Sequence, residues 1–205
     1  MRSRAAASVL GTAGFRNVAS MAGGIKAWQG LTAAGLPEAG MAFFTGAADA
    51  GELIALAWLL EEGSRKFYTE VADIHSEPGS AGLFDDLVKA EEHHKGTLQS
   101  LFRDVTGREP GPDFPLGMPV AKEPGTRMEG NVAVAEALAW AKDRTLQDLL
   151  ELCMALETDS YDLYIKMSRT VPGEQAQEVF TRLAAEEKEH LARMAKLLDH
   201  GLGGE

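Results

Sequence analysis

A Glu-x-x-His pair occurs twice in this chain. The first copy runs from Glu91 to His94, and the second, 96 residues further along the chain, runs from Glu187 to His190. Other positions recur at the same spacing, namely Leu53 with Leu149, Glu61 with Glu157, Ser64 with Ser160, Tyr68 with Tyr164, Phe84 with Phe180 and Leu87 with Leu183. A constant spacing of this kind indicates a duplicated unit of two helices.

The charged residues of the repeat fall on the apolar faces of their predicted helices. In the second helix of each unit the apolar residues, the glutamate and the histidine are spaced three or four positions apart, as one buried helical face requires. These stripes are Leu87, Glu91, His94, Leu98, Leu101 and Leu183, Glu187, His190, Met194, Leu197. A single glutamate interrupts the stripe of each first helix, at Glu61 and at Glu157. The sequence therefore predicts four carboxylates and two imidazoles in one interior.

Such a set of buried charges needs compensation. Burying an ionised carboxylate costs on the order of several kcal/mol unless it is paired, so four of them without cations would destabilise the compact state. Two divalent metal ions carry the four positive charges that balance four glutamates. The pattern thus predicts a di-metal site. The alternative is a metal-free helical interaction module, in which the six polar side chains would have to satisfy one another.

One glutamate on each of two helices plus Glu-x-x-His on each of the other two resembles the ligand set of ferritin-like di-metal proteins. The resemblance covers about residues 46–200, and the tandem form is most similar to the rubrerythrins. It implies an all-α, ferritin-like four-helix bundle. It also implies that two iron ions are bound, and that their ligands and the catalytic residues are Glu61, Glu91, His94, Glu157, Glu187 and His190. Manganese or a mixed pair would suit the same ligands.

The same resemblance implies a redox function. The metals would react with hydrogen peroxide or dioxygen and would be reduced again by an external electron donor, as in a peroxidase or an oxidase. Rubrerythrins often carry a further glutamate one turn before the ligand of the third helix, where this chain has Met154. An alternative function is iron storage with ferroxidation as its entry step. A homodimer in the cytoplasm is expected.

Four other polar residues near the motifs have simpler interpretations. His93 has Glu189 as its counterpart in the repeat, so we expect it at the surface rather than on a metal. Tyr68 and its counterpart in the second unit are interpreted as core tyrosines, with a hydrogen bond to the metal ligands as the alternative. Cys153 is expected to be a small buried thiol, because sulfur is a poor match for an oxygen-rich site.

The connections predict a bundle closed by a long crossover. We expect helices over about residues 50–74, 82–105, 145–169 and 174–200, with a cap at Thr145 and a turn at residues 171–173. Residues 106–130 hold five of the eight prolines, and a link of this length can cross the bundle. Residues 131–144 read as a short amphipathic helix inside that crossover.

Composition limits the partners. A net charge of −11 argues against nucleic acid and against an anionic membrane surface as partners. No run of 18 apolar residues predicts a membrane span. A single cysteine excludes a disulfide framework and a four-cysteine rubredoxin module, so the predicted reductant is external.

The first 37 residues differ from the rest, since no acidic residue precedes Glu38. Arg-Ser at 2–3, Gly-Phe-x-Asn-Val at 14–18 and Gly-Gly-Ile-x-Ala-Trp at 23–28 resemble the C-terminal part of a rhodanese domain. The resemblance implies a partial rhodanese-like segment over 1–37 that lacks the catalytic cysteine, followed by the di-metal bundle over 38–205. It suggests a link to sulfur metabolism without sulfur transfer by this chain. The alternative is a targeting peptide rich in arginine, alanine and serine.

Overall fold

The computed structural model of the chain describes residues 49–74, 81–118 and 123–202. In this part the chain forms the helices α1 (Ala50–Ile74), α2 (Ala81–Thr106), α3 (Val134–Ala141), α4 (Leu146–Thr170) and α5 (Glu174–Leu202). Helix α1 packs mainly on α2, helix α4 packs mainly on α5, and α2 also contacts α5. The predicted all-α bundle of four long helices is confirmed. The predicted rhodanese-like segment, residues 1–37, lies outside the described residues.

The helix boundaries follow local signals in the sequence. Thr145 caps α4: its hydroxyl oxygen accepts a 3.2 Å hydrogen bond from the amide of Asp148, whose carboxylate accepts one from the amide of Thr145. This reciprocal pair satisfies two amides that the first turn of a helix leaves without partners. The predicted cap at Thr145 is therefore confirmed. Helix α4 ends at Thr170, and Gly173, with φ of 97°, precedes α5.

The crossover contains a small hairpin that the sequence did not predict. Strand β1 (Arg127–Met128) pairs antiparallel with β2 (Val132–Ala133), and Glu129–Asn131 form the turn between them. Gly130 and Asn131 have φ of 66° and 60°. Glycine and asparagine adopt this left-handed conformation more readily than other residues do. The predicted helix over 131–144 is wrong at its start, because the chain reverses there and α3 begins only at Val134.

Two glycines let this hairpin pack directly on the long helices. A β-carbon on Gly63 of α1 would lie 1.9 Å from the carbonyl oxygen of Arg127. A β-carbon on Gly130 would lie 2.3 Å from a carboxylate oxygen of Asp159 in α4. No side chain fits in either gap. The hairpin therefore contacts both α1, which carries Glu61, and α4, which carries Glu157.

The apolar residues of the repeat form the core around these contacts. Phe84 and Phe180 are completely buried, as are Leu149 and Leu183. Burial of such side chains stabilises the bundle by about 25 cal/mol for each Å² of apolar surface removed from water. Among the described helices, none combines the length and the apolar character that crossing a membrane would require.

Candidate metal centre

The six residues that the sequence singled out lie together in the interior of the bundle. The carboxylates come from all four long helices, and the imidazoles come from α2 and α5. None of the six is more than 8% exposed; they are Glu61, Glu91, His94, Glu157, Glu187 and His190. Charged side chains are almost never buried to this degree without partners of opposite charge. The packing thus concentrates acidic and imidazole groups where water is excluded.

The side chains form two neighbouring groups that can each hold a metal ion. One group consists of Glu61, His94 and Glu187, and the other of Glu157, Glu187 and His190. Within each group one ligand atom from every residue lies within 4.8 Å of the others. Glu187 belongs to both groups, one oxygen facing each histidine. A carboxylate placed in this way is suited to bridge two ions.

The two histidines present the same ring nitrogen to the carboxylates. Nδ1 of His94 lies 3.3 Å from Oε2 of Glu61 and 3.2 Å from Oε1 of Glu187. Nδ1 of His190 lies 3.0 Å from Oε2 of Glu157 and 3.2 Å from Oε2 of Glu187. The two rings stack with their centroids 5.6 Å apart. Both imidazoles therefore offer Nδ1 as the atom that would bind a metal.

Two carboxylate oxygens in the centre have no hydrogen-bond partner. Oε1 of Glu61 and Oε2 of Glu91 are fully buried and accept no hydrogen bond, and the latter oxygen is 3.7 Å from Nδ1 of His94. Buried acceptors of this kind are rare in proteins, because each costs the free energy of its lost hydration. Cations at these oxygens would supply the missing interactions. The oxygen and imidazole donors are also the types that bind iron and manganese.

Without a metal, several of these carboxyl groups and the imidazoles hold protons instead. Glu187 is the exception: burial alone would raise its pKa, but its hydrogen bonds to Glu157 and to the two histidines lower it, so this carboxylate stays ionised. Burial raises the pKa of Glu61 to about 7, and burial also raises the pKa values of Glu91 and Glu157 well above their usual range. Burial alone would lower the pKa of His190, but its hydrogen bonds to Glu157 and Glu187 raise that pKa to about 10. A metal ion must displace these protons to bind.

Comparison with known proteins identifies the family. The sequence model of the rubrerythrin family matches residues 52–116 and 118–202, which include both Glu-x-x-His pairs. This chain belongs to the rubrerythrin family. Membership of the rubrerythrin family implies iron binding, which agrees with the two buried groups of carboxylates and imidazoles. The rhodanese-like segment lies outside the matched residues and stays a prediction.

A solved structure supports the same fold for this rubrerythrin-family chain. A hypothetical protein from Pyrococcus furiosus superposes with a TM-score of 0.58 over 83% of this chain and 99% of its own, at 24% sequence identity. No curated protein matches the sequence. At this sequence identity, the solved structure supports the fold and nothing further.

Around the rubrerythrin-type centre, Glu186 is a contact that the sequence analysis missed. Its Oε2 lies 3.1 Å from Nε2 of His94, whereas Nδ1 of that ring faces Glu61 and Glu187. The hydrogen bond to His94 lowers the pKa of Glu186, so this carboxylate stays ionised. A carboxylate on the outer nitrogen fixes the tautomer and the orientation of a metal-binding imidazole. The repeat places Ala90 at the corresponding position, so His190 has no equivalent of this contact from α2.

Tyr68 is a second contact on the centre. Its hydroxyl donates a 2.6 Å hydrogen bond to Oε1 of Glu157. Burial, together with the charge of Glu157, raises the pKa of Tyr68 well above its usual value, so the hydroxyl remains a donor. This contact supports the alternative interpretation of Tyr68, a hydrogen bond to a residue of the centre. Cys153 is buried as expected, and burial raises the pKa of its thiol.

Glu129, like Glu186, was not indicated by the sequence pattern. It is 3% exposed, and it lies in the hairpin turn of the crossover rather than in the repeat. Its position in a segment rich in proline and glycine carries no sequence signal of burial. His93, by contrast, is exposed as predicted and lies outside both metal-binding groups.

Proposed function

We propose that this chain is a di-iron redox protein that reacts with hydrogen peroxide or dioxygen. The observation that supports this proposal is the pair of buried groups that share Glu187, each with its own histidine. Two divalent ions would balance the four glutamates of the repeat. When bound, iron supplies the redox chemistry, since two neighbouring ferrous ions can deliver two electrons to one oxidant. Family membership supports iron, and the paired groups support two ions.

The protein's own residues have distinct parts in this proposal. Glu187 would bridge the two ions, while His94 and His190 would each bind one ion through Nδ1. Glu186 would hold the ring of His94 in the tautomer that leaves Nδ1 free to bind. The hydroxyl of Tyr68 donates a hydrogen bond to Glu157 and would keep that carboxylate oriented. Burial of the whole set excludes bulk water and strengthens these electrostatic interactions.

The source of electrons for the centre is a further part of the proposal. The chain has one cysteine, which is buried in α4, whereas an iron site of the rubredoxin type needs four. We therefore propose an external electron donor, and we propose a homodimer in the cytoplasm as the working form. The resemblance of residues 1–37 to a rhodanese domain suggests that the reaction with peroxide or dioxygen is linked to sulfur metabolism.

The proposal can be tested by iron loading and single turnover. Apo-protein is loaded anaerobically with ferrous iron, and one equivalent of hydrogen peroxide per iron pair is added while the near-ultraviolet absorption is followed. We expect about two iron ions per chain, oxidation of both by one peroxide, and repeated turnover with an external reductant.

Matched variants make this test specific. His94→Ala should lose one of the two iron ions and the two-electron reaction with peroxide, whereas His93→Ala, at the exposed neighbouring position, should keep both ions and the reaction. Iron accumulation far beyond two ions per chain, with slow reaction toward peroxide, would instead favour the storage and ferroxidase alternative. Failure of the chain to retain any iron would contradict both functions.

A further inference from the structure

The crossover hairpin brings a carboxylate from outside the repeat into the interior. Glu129 occupies the first position of the turn, between β1 and the glycine that packs against Asp159 of α4. Because Gly63 of α1 has no side chain, the backbone of β1 can pack directly against that helix. These contacts hold Glu129 between α1 and α4, and only 3% of the residue is exposed. Its position is thus fixed by backbone packing.

The two oxygens of this carboxylate differ in their surroundings. Oε2 accepts a hydrogen bond from the hydroxyl of Ser64, which lies one helical turn after Glu61 on the same stripe of α1. Oε1 is fully buried and has no hydrogen-bond partner. A buried carboxylate oxygen without a partner is costly, because its hydration is lost and nothing replaces it. One oxygen is therefore held in place while the other is free to bind a ligand.

The charged neighbours of Glu129 are the carboxylates of the metal centre. Burial raises the pKa of Glu129 well above its usual range, and the nearby negative charges of Glu91, Glu157 and Glu187 raise it further. Four buried glutamates already match the four charges of two divalent ions, so a fifth carboxylate adds a negative charge without an equivalent cation. Such a surplus stabilises metal ions at the centre, and it stabilises trivalent ions more than divalent ones.

We propose that Glu129 is a seventh ligand residue of the di-metal centre, supplied by the crossover and binding a metal ion through Oε1. This inference rests on the proposed di-metal function. Ser64 acts as a positioning residue, since it holds the oxygen that does not bind metal.

The decisive experiment compares cobalt(II) binding by the full chain and by Glu129→Gln. The amide keeps an oxygen that can accept from Ser64 and has nearly the same size, but it lacks the charge that binds metal. We expect the affinity for the more weakly bound cobalt ion to fall at least about tenfold, with a changed visible absorption spectrum of the bound cobalt. Wild-type affinity for both ions together with a wild-type spectrum would overturn the proposal.

Two comparisons exclude a merely structural effect. Glu123→Gln removes the same charge from an exposed position of the same crossover and should leave cobalt binding unchanged. Apo Glu129→Gln should be at least as resistant to thermal unfolding as apo wild type, because it no longer buries an unpaired carboxylate. If Glu129→Gln does not fold, Glu129→Asp is used, and wild-type affinity in that shorter variant would also overturn the proposal.

The result separates this inference from the function on which it rests. If wild-type protein binds two cobalt ions and Glu129→Gln binds them equally well, only the assignment of Glu129 fails. If wild-type protein binds no cobalt, the di-metal function itself fails, and the assignment of Glu129 fails with it.

Discussion

The hydroxyl of Tyr68 in α1 donates a 2.6 Å hydrogen bond to the carboxylate of Glu157 in α4. This bond joins the first helices of the two repeated units directly at the metal centre. It provides Oε1 of Glu157 with an uncharged hydrogen-bond donor inside the bundle.

The first prediction concerns this bond. Tyr68→Phe should leave Oε1 of Glu157 without its donor, which costs about 1–3 kcal/mol of stability for a buried group. We expect two iron ions still to bind, with peroxide-driven oxidation slowed about tenfold because Glu157 is less well oriented. Thermal unfolding and stopped-flow absorption measure the two effects. Tyr161→Phe, at a half-buried position of α4, is the control and should change neither.

The second prediction follows from the shared position of Glu187. Glu187→Ala should remove both metal ions, whereas Glu61→Ala should leave one, because Glu187 belongs to both groups and Glu61 to only one. Metal analysis after loading and desalting gives the stoichiometry, and circular dichroism checks that the helices remain. Glu189→Ala, on the exposed face of α5, should keep two ions. Equal losses in the Glu61 and Glu187 variants would contradict the bridging arrangement.

The third prediction is a pH dependence of apo-protein stability. Burial raises the pKa of Glu61 from 4.5 to about 7, and the partners of His190 raise its pKa from 6.5 to about 10. The folded protein then binds more protons than the unfolded chain over this range, so its stability should fall as the pH rises. We expect the apo-protein Tm at about pH 8.5 to lie at least about 3 °C below its value at about pH 5, a shift that corresponds to about 1 kcal/mol.

Metal should reverse this trend, since bound cations replace the protons. The difference in Tm between metal-loaded and apo-protein should therefore widen as the pH increases, and differential scanning fluorimetry can follow it. Glu61→Gln should flatten the apo curve between about pH 5 and about pH 7, because the amide does not titrate. An apo-protein Tm that rises steadily over this range would show that the buried groups are not protonated as described.

The fourth prediction concerns the unequal surroundings of the two histidines. Glu186→Gln should weaken metal binding about 10-fold to 100-fold, because the outer nitrogen of His94 loses its anionic partner. The other ion, beside His190, should keep its affinity. Titration with cobalt(II) resolves the two events, and Glu178→Gln at an exposed position of α5 is the control. Equal weakening of both ions would mean that Glu186 acts on the bundle as a whole.

Much of the bundle and of its centre could be predicted from the sequence, because duplication makes the pattern redundant. Each Glu-x-x-His pair occurs on an apolar stripe whose leucines pack into the core, so burial of the pair follows from helical geometry alone. The cap at Thr145 was equally local, since the capping box needs only residues three apart. The start of the crossover helix was not predicted correctly, because two consecutive left-handed residues reverse the chain there.

The four glutamates and two histidines on the buried faces of the helices could be identified from the repeat alone. The side chains outside the repeat that reach them became visible only in the folded chain. Glu186 contacts His94 across the interface of α2 and α5, and Glu129 enters the interior because Gly63 allows a hairpin to approach α1. Such contacts depend on how distant segments pack, and helical periodicity carries no information about the neighbours of a turn.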